Sequence, residues 1–408
     1  MAPQEGLNQD VPKGGDPSKQ FEKQYHDVLD MVRHDYYLPD KANALAGWEH
    51  RFDRKLTSED ARDNAISQMV DSLHDPWTQY TSSKMIADHQ KLFTDGNRRS
   101  AGIWVKSGED GAPEISCMLH GFAAFNSPLR AGDKLVSLNG QSLAGIRPDA
   151  IENMLQGQIG QSLKIEYQTP GSAEVKTVDV PIGKVYGEDA SAKIMQDPDG
   201  KKFLYAYLPS FDKDAISAFD DAVDAALKSN GGQNVPIILD LRGNSGGFIN
   251  SARYFESEFL KGGVAYKELI RDGNKQVPED RPVMQNIAES DSDRARLNEL
   301  QNMPLVVIMD DSSRSAAETT IAGLQDNHRT TAVVGTHSFG KAIVYDNHDL
   351  PFGGGLSISS SIIESPNGRQ WQGKGLLPDV QVDRPRDGST TDVQLNQAIA
   401  TLENSISK

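Results

Sequence analysis

Pro304-Leu305-Val306-Val307-Ile308-Met309-Asp310-Asp311-Ser312-Ser313-Arg314-Ser315-Ala316-Ala317-Glu318 contains a change of structure within one short stretch. Pro304 to Ile308 is an apolar run of strand length, which reads as a buried strand. A helical pattern starts near Glu318 and continues through Ile321 and Leu324. Ser315 therefore lies where a strand hands over to a helix. The first N–H groups of a helix lack intrahelical partners and carry partial positive charge. Such a position favours an oxyanion formed beside the serine. Taken alone, a serine at a helix start is more often a cap.

Two further stretches share this character. Pro236-Ile237-Ile238-Leu239-Asp240-Leu241-Arg242-Gly243-Asn244-Ser245-Gly246-Gly247 is a buried-strand run ending in a glycine-rich turn, with a helical pattern after it through Ala252, Phe255 and Phe259. Glycines there let backbone N–H groups approach a ligand closely. In Ala332-Val333-Val334-Gly335-Thr336-His337-Ser338-Phe339-Gly340-Lys341-Ala342-Ile343-Val344 a lysine stands among apolar neighbours. A desolvated lysine gives up its proton more easily and can act as a general base. By itself a lysine is usually a solvated surface charge.

In this order and combination the segments resemble the C-terminal processing peptidases, or tail-specific proteases. That family carries strand-L-D-L-R-x-N-x-G-G, a serine in S-A-S-A-S-E, then Q-D and F-G-K. The corresponding residues are Leu239 to Gly247, Ser313 to Glu318, Gln325-Asp326 and Phe339-Gly340-Lys341. The resemblance implies a serine endopeptidase with Ser315 as nucleophile, Lys341 as general base and an acyl-enzyme intermediate, with no cofactor. On this reading the N–H of Ala316 and one from Gly246-Gly247 hold the oxyanion. Tyr345 stands where the family has a glutamine that steadies the lysine, and Ala342 replaces a glycine.

The stretch Leu129-Arg130-Ala131-Gly132-Asp133-Lys134-Leu135-Val136-Ser137-Leu138-Asn139-Gly140 resembles part of a PDZ domain. Around it lie an expected strand at Ala101–Val105, a helix near Pro148 to Leu155 and a closing strand at Ser162–Tyr167. Such a domain takes a peptide C-terminus as an added strand. By analogy Gly102 and Ile103 belong to the carboxylate loop, and Leu155 joins Ile103 in lining the peptide pocket. Gln156 occupies the place of an arginine that the family often has after the helix.

The whole chain therefore reads as an α/β peptidase core, α+β overall, with an inserted PDZ-like domain and an N-terminal helical region. The expected boundaries are 1–20 for a disordered tail, 21–97 for the helical region, 98–184 for the PDZ-like domain, 185–385 for the core and 386–408 for a C-terminal helix. Tyr25, Val28, Leu29, Val32 and Tyr36, then Ala65, Met69 and Leu73, recur at helical spacing and are expected core. Leu73-His74-Asp75-Pro76-Trp77-Thr78-Gln79-Tyr80 matches a structural signature of the family.

Composition narrows the functional classes. A net charge of −16 over 408 residues argues against a nucleic-acid binder. The single cysteine, Cys117, excludes an intrachain disulfide and reads as a small apolar strand residue. No H-E-x-x-H and no Cys/His cluster suggests a metal site. No apolar run reaches the roughly 18 residues of a membrane helix. No signal peptide is visible, although the family is mostly exported, so an extracytoplasmic location is expected by analogy. Expected partners are protein or peptide substrates with free C-termini; a homo-oligomer or an adaptor protein is also compatible. A phosphate cradle at Gly243 to Gly247 is weak, since the loop lacks both G-x-G-x-x-G and G-x-x-x-x-G-K-(S/T), and two further rivals stand beside this reading. One is a catalytically weak or inactive peptide-binding scaffold of the same fold. The other pairs Ser338 with Lys341 as S-x-x-K, which requires a helical turn there.

Overall fold

The computed structural model describes residues 17–86, 98–108, 110–118, 122–182, 189–386 and 391–406. Most of the expected N-terminal tail lies outside these residues, and its last part is already helical from Pro17. The chain divides into two compact units, the first made of 1–91, 270–277 and 344–362 and the second of the rest.

In the first unit, the helix Pro17–Asp35 buries Tyr25, Val28, Leu29 and Val32, which recur on one face. The helix Glu59–Asp71 starts at Ser58, whose hydroxyl accepts the Ala61 N–H at 3.2 Å, an ordinary N-cap. Both close on a core that includes Ile66, Met69, Leu73 and Ile358. The Asp75-Pro76-Trp77-Thr78 signature has a structural job. Asp75 accepts the Trp77 N–H and the Thr78 hydroxyl, and the Thr78 hydroxyl oxygen accepts the N–H of Ser359 at 3.0 Å. Next to it the strand Gln79–Thr81 pairs antiparallel with Gly355–Glu364.

The second unit contains the α/β core. Its sheet runs in the order Ser191–Gln196, Lys202–Tyr207, Ile237–Asp240, Leu305–Met309, Ala332–Gly335, Val380–Gln381. The first pair is antiparallel and the others are parallel. Parallel strands are covered on both faces, which is why Ile237 to Leu239 and Leu305 to Ile308 are uninterrupted apolar runs with no exposure. The closing helix Val393–Ile406 packs Ala398 and Leu402 on Ile238, Val306 and Val334. In open parallel sheets, ligand sites form beyond the carboxyl ends of the strands. The three motif loops follow Asp240, Met309 and Gly335, the ends of three adjacent parallel strands.

Two elements differ from expectation. The stretch Tyr205-Ala206-Tyr207-Leu208-Pro209-Ser210-Phe211, which resembles a strand of the same family, is strand only as far as Tyr207, and Pro209 beyond it has no N–H for a ladder. Phe211 then forms a single parallel bridge with Gly247. A hairpin, Val264–Asp272 with Lys275–Pro282, has no counterpart in the sequence reading.

The PDZ-like module belongs to the same compact unit as the core. Its antiparallel sheet is ordered Ile103–Ser107, Pro113–Met118, Lys134–Leu138, Ser162–Gln168, Val175–Pro181, with the helix Pro148–Met154 beside it. Ile115, Leu129, Ile151 and Ile165 are fully buried in its own core. The strand starts at Ile103 rather than at the expected Ala101, because Gly102 turns with φ of +79° and its N–H goes to Ser100 Oγ. Among the contacts that tie the module to the core, two places stand out. Arg386 pairs with the buried Asp133 at 2.9 Å, and the guanidinium of Arg384 lies 3.8 Å from the Phe125 ring centroid. At the other, Ser312 exchanges hydrogen bonds with the backbone of Met118.

Candidate active site

The glycine loop after Asp240 is fixed by its own polar side chains. Arg242 pairs with Asp240 at 2.6 Å and with Asp392 at 2.8 Å, so it also anchors the start of the closing helix. Asn244 donates to the Leu208 carbonyl, and its Oδ1 accepts the Gly246 N–H at 2.8 Å. Asp310 reaches across from the next strand: its Oδ1 accepts the N–H groups of Gly243, Ser312 and Ser313. Ser313 Oγ donates to the Leu241 carbonyl. These bonds hold the loop after Asp240 against the loop after Met309.

Ser315 opens the helix Ala316–Asp326 in a strained conformation, φ 57° and ψ −119°. L residues rarely adopt this region, and structures retain it where the surroundings enforce it, often at functional turns. Glycine at 246 is what permits the approach: a Cβ there would lie 2.8 Å from Ser315 Cβ and 3.2 Å from the Ala316 nitrogen. At Gly247 a Cβ would lie 2.5 Å from the Phe211 backbone. Gly246, Ser315 and Ala316 are therefore brought together, as the motif order implied. The Gly246 N–H donates to Asn244 Oδ1 and is committed inside its own loop.

Glu318, one turn into the helix, organises the rest. It is fully buried and receives the Ser315 N–H at 2.9 Å and the Lys341 N–H at 2.7 Å on the same oxygen, Oε2. Its Oε1 receives the Gly340 N–H and the Ser338 hydroxyl. Burial pushes the carboxyl pKa up, against the pull of these donors. Ser338 is fully buried in this contact and in one from the Leu376 N–H, and no helix covers 336–342. The S-x-x-K rival therefore fails for want of a helical turn.

Behind the lysine loop stands Gln372-Gly373-Lys374-Gly375. Gln372 Oε1 accepts the Ala342 N–H at 2.7 Å, and the Gly373 N–H goes to the Gly340 carbonyl. Lys341 is half-buried. Its amine is pushed down to about 8, by burial first and then by the Arg314 cation, while Glu318 acts in the opposite direction. Tyr345 lies on the strand Ile343–Asp349 in the first unit and is 39% exposed. A cavity of about 640 Å³ opens beside the glycine loop, lined by Phe122, Tyr207, Asp212, Ser245 and Arg314 among others.

The peptide edge of the PDZ-like module is occupied by the module itself. The Ala101 N–H goes to the Leu155 carbonyl, and the Val105 N–H goes to Glu152 Oε1 at 2.9 Å. Ile103 and Leu155 are buried within the module's core, so neither lines an open pocket here. The sequence reading missed Glu152, Asp310, Gln372 and the bridging role of Glu318. It also passed over Arg314, whose signal was available: arginine stands where the motif has alanine.

The comparisons agree with this architecture. The sequence profile of peptidase family S41 matches residues 202–382, and that of the PDZ domain matches 90–168. The carboxy-terminal processing protease CtpB of Bacillus subtilis is 28% identical over 358 residues, 85% of this chain and 68% of that protein. A carboxyl-terminal-processing protease of Picosynechococcus is 25% identical, across 86% of this chain and 81% of its own length. Among solved structures, the photosystem II D1 C-terminal processing protease superposes with a TM-score of 0.71 at 20% identity, covering 90% of this chain and 95% of that one. With the three motif loops gathered at adjacent strand ends, residues 202–382 match peptidase family S41 and residues 90–168 a PDZ domain, and the chain is similar to the carboxy-terminal processing peptidases, serine-type hydrolases with that pair of domains.

Proposed function

We propose that the chain is an endopeptidase that cuts proteins or peptides selected through their C-termini, using Ser315 as nucleophile and Lys341 as general base. The observation that carries this reading is the shared Glu318 oxygen, which makes the backbones of Ser315 and Lys341 neighbours. Lys341 as the neutral amine takes the hydroxyl proton while Ser315 Oγ attacks the scissile carbonyl carbon. The N–H groups of Ala316 and Gly247 hold the resulting oxyanion. Collapse breaks the C–N bond, and the Lys341 ammonium returns the proton to the departing amine. Water then attacks the ester on Ser315, passing its proton to Lys341, which returns it to Ser315 Oγ as the C–O bond breaks and the acid leaves. Tyr345 is assigned a supporting role at the lysine, in place of the family glutamine.

The PDZ-like module presents the free C-terminus of the substrate, with Gly102 and Ile103 in the carboxylate loop. Ile103 and Leu155 become a pocket only if the edge opens. Substrates met outside the cytoplasm, and a homo-oligomer or adaptor as partner, belong to the same reading. Among the described residues no helix is long and apolar enough to cross a membrane.

The test combines a fluorophosphonate serine probe with casein digestion. The unaltered chain should be labelled and should digest casein. Ser315→Ala should do neither while melting at the same temperature. Labelling of Ser315→Ala would remove the assignment, and an inert unaltered chain would favour the peptide-binding scaffold.

A further inference from the structure

Arg314, the residue before the nucleophile, touches four separate pieces of the second unit. Its backbone N–H donates to the Asn244 carbonyl at 3.1 Å, and its Nε donates to the Ser245 carbonyl at 3.2 Å, both on the glycine loop. Its Nη1 donates to Cys117 Sγ at 2.8 Å. The guanidinium carbon lies 5.1 Å from the Trp104 ring centroid and 5.9 Å from that of Phe339. Cys117 and Trp104 are cross-strand partners in the PDZ-like sheet, and Phe339 belongs to the lysine loop. Trp104 is otherwise 47% exposed, an unusual place for an indole unless something uses its face.

We propose that Arg314 is a positioning residue for the peptidase reaction, coupling the Trp104–Cys117 edge of the PDZ-like module to the glycine loop and to Lys341. The proposal rests on the Ser315/Lys341 reading above. Of the charged groups near the Lys341 amine, Arg314 disfavours its protonated form and Glu318 favours it. On the module side, Arg314 faces Cys117, which also feels Asp310 and Asp311 and stays a thiol, its pKa pushed up to about 11 by burial. A cation held near the amine keeps the general base in its usable form, and two ring faces and a sulfur hold that cation in place. A planar guanidinium can stack and donate in this way; an ammonium can supply only the charge. A strand added along Ile103–Ser107 alters the packing of Trp104, and through it the placement of the guanidinium.

The experiment follows the rate of fluorophosphonate labelling of the full chain from pH 6 to 10, with thermal melting as a fold control. The unaltered chain should rise with a midpoint near 8, where Lys341 loses its proton. Arg314→Gln keeps length and loses charge. Its midpoint should move to higher pH. Labelling at pH 7 should slow about tenfold if the midpoint rises from 8 to about 9, and should recover at higher pH. Arg314→Lys should restore the midpoint. Trp104→Ala should move it in the same direction as Arg314→Gln, by less. A lower plateau at an unchanged midpoint in Arg314→Gln would mean a merely structural role and would overturn the proposal. An unchanged midpoint in Trp104→Ala would overturn the coupling to the module. If the unaltered chain is not labelled at any pH, the peptidase reading itself fails and takes this proposal with it. Arg314→Ala serves as the second neutral variant if Arg314→Gln does not fold.

Discussion

The backbone N–H of Ser315 and that of Lys341 donate to one and the same atom, Oε2 of Glu318, at 2.9 and 2.7 Å. The first residue opens the helix Ala316–Asp326 and the second follows the strand Ala332–Gly335, so a single carboxylate sets the spacing between two motif loops. Four donors converge on that side chain, which is the environment of an ionised acceptor rather than of a neutral acid.

Glu318→Gln is therefore not conservative. An amide offers one acceptor oxygen and turns an NH2 group toward the N–H donors that the carboxylate receives. Leaving buried donors unpaired costs about 1–3 kcal/mol each. Misplacing Ser315 against Lys341 by an ångström costs about 100-fold in rate. The variant should melt earlier and lose probe labelling by about that factor, as time courses with the fluorophosphonate will measure.

The pH dependence has a defined sign. Lys341 must be neutral to accept a proton, and its amine is lowered to about 8. Peptidase kcat/KM should rise from pH 7 and level above pH 9. Lys341→Arg should be inactive at every pH, since a guanidinium does not deprotonate in proteins. Retained activity in that variant, or a profile flat from pH 6 to 9, would remove Lys341 as the base.

Much of this site was legible in the sequence for a physical reason. Parallel strands buried on both faces read as unbroken apolar runs, and ligand sites form in the loops after such runs, so the runs up to Leu239 and Ile308 drew attention to the loops that follow them. What escaped depended on contacts far apart in sequence. Arg314 meets Cys117 across 197 positions, and Ser312 meets Met118 across 194, with no periodicity to announce either. The hairpin Val264–Pro282 escaped because its second strand is largely exposed and carries no buried face to alternate with. Ile103 and Leu155 were recognised as apolar residues beside a peptide edge. That they are sealed in the core depends on the helix packing down on that edge, which a linear pattern does not encode.

Glu256 gives a stability prediction independent of catalysis. It is completely buried on the helix Ile249–Phe259, and neither carboxylate oxygen has a hydrogen-bond partner among the described residues. Burial raises its pKa well above the usual carboxylate value. A raised folded-state value means that its contribution to stability is full below about pH 4.5 and is lost as pH climbs through the folded value. Glu256→Met removes the unpaired acid at similar length. The variant should be more stable than the parent at pH 8, by about 1–3 kcal/mol, with the gain shrinking toward pH 5. Urea melts at the two pH values decide it; an equal effect at both would show that the acid is not neutral in the fold.

Gly246→Ala places a methyl group against Ser315 Cβ and the Arg314 carbonyl, each 2.8 Å away, at a residue with φ of +81°. The affected contacts lie in the glycine and serine loops rather than in the hydrophobic core. The expected outcome is a fall in labelling and turnover of about 100-fold, with a far smaller change in melting temperature. A loss of activity that tracks the loss of fold would point instead to a structural glycine.

Glu152 makes the last prediction. Its carboxylate accepts the Val105 N–H at 2.9 Å, a bond of the kind that an added peptide strand would make along the edge Ile103–Ser107. A C-terminal peptide must displace that contact before it can pair. Glu152→Ala leaves the Val105 N–H for the peptide, and a net hydrogen bond is worth about 0.5–1.5 kcal/mol, or roughly 2- to 12-fold in affinity. Titration calorimetry on the Ser315→Ala background, which prevents cleavage, should show a peptide with an apolar end and a free carboxylate binding more tightly to Glu152→Ala than to its parent. The same peptide with an amidated end should bind weakly to both, because backbone N–H groups receive the terminal charge. Equal affinity for the free and amidated forms would show that this edge does not read C-termini, and weaker binding to Glu152→Ala would make the carboxylate part of the peptide site rather than its competitor.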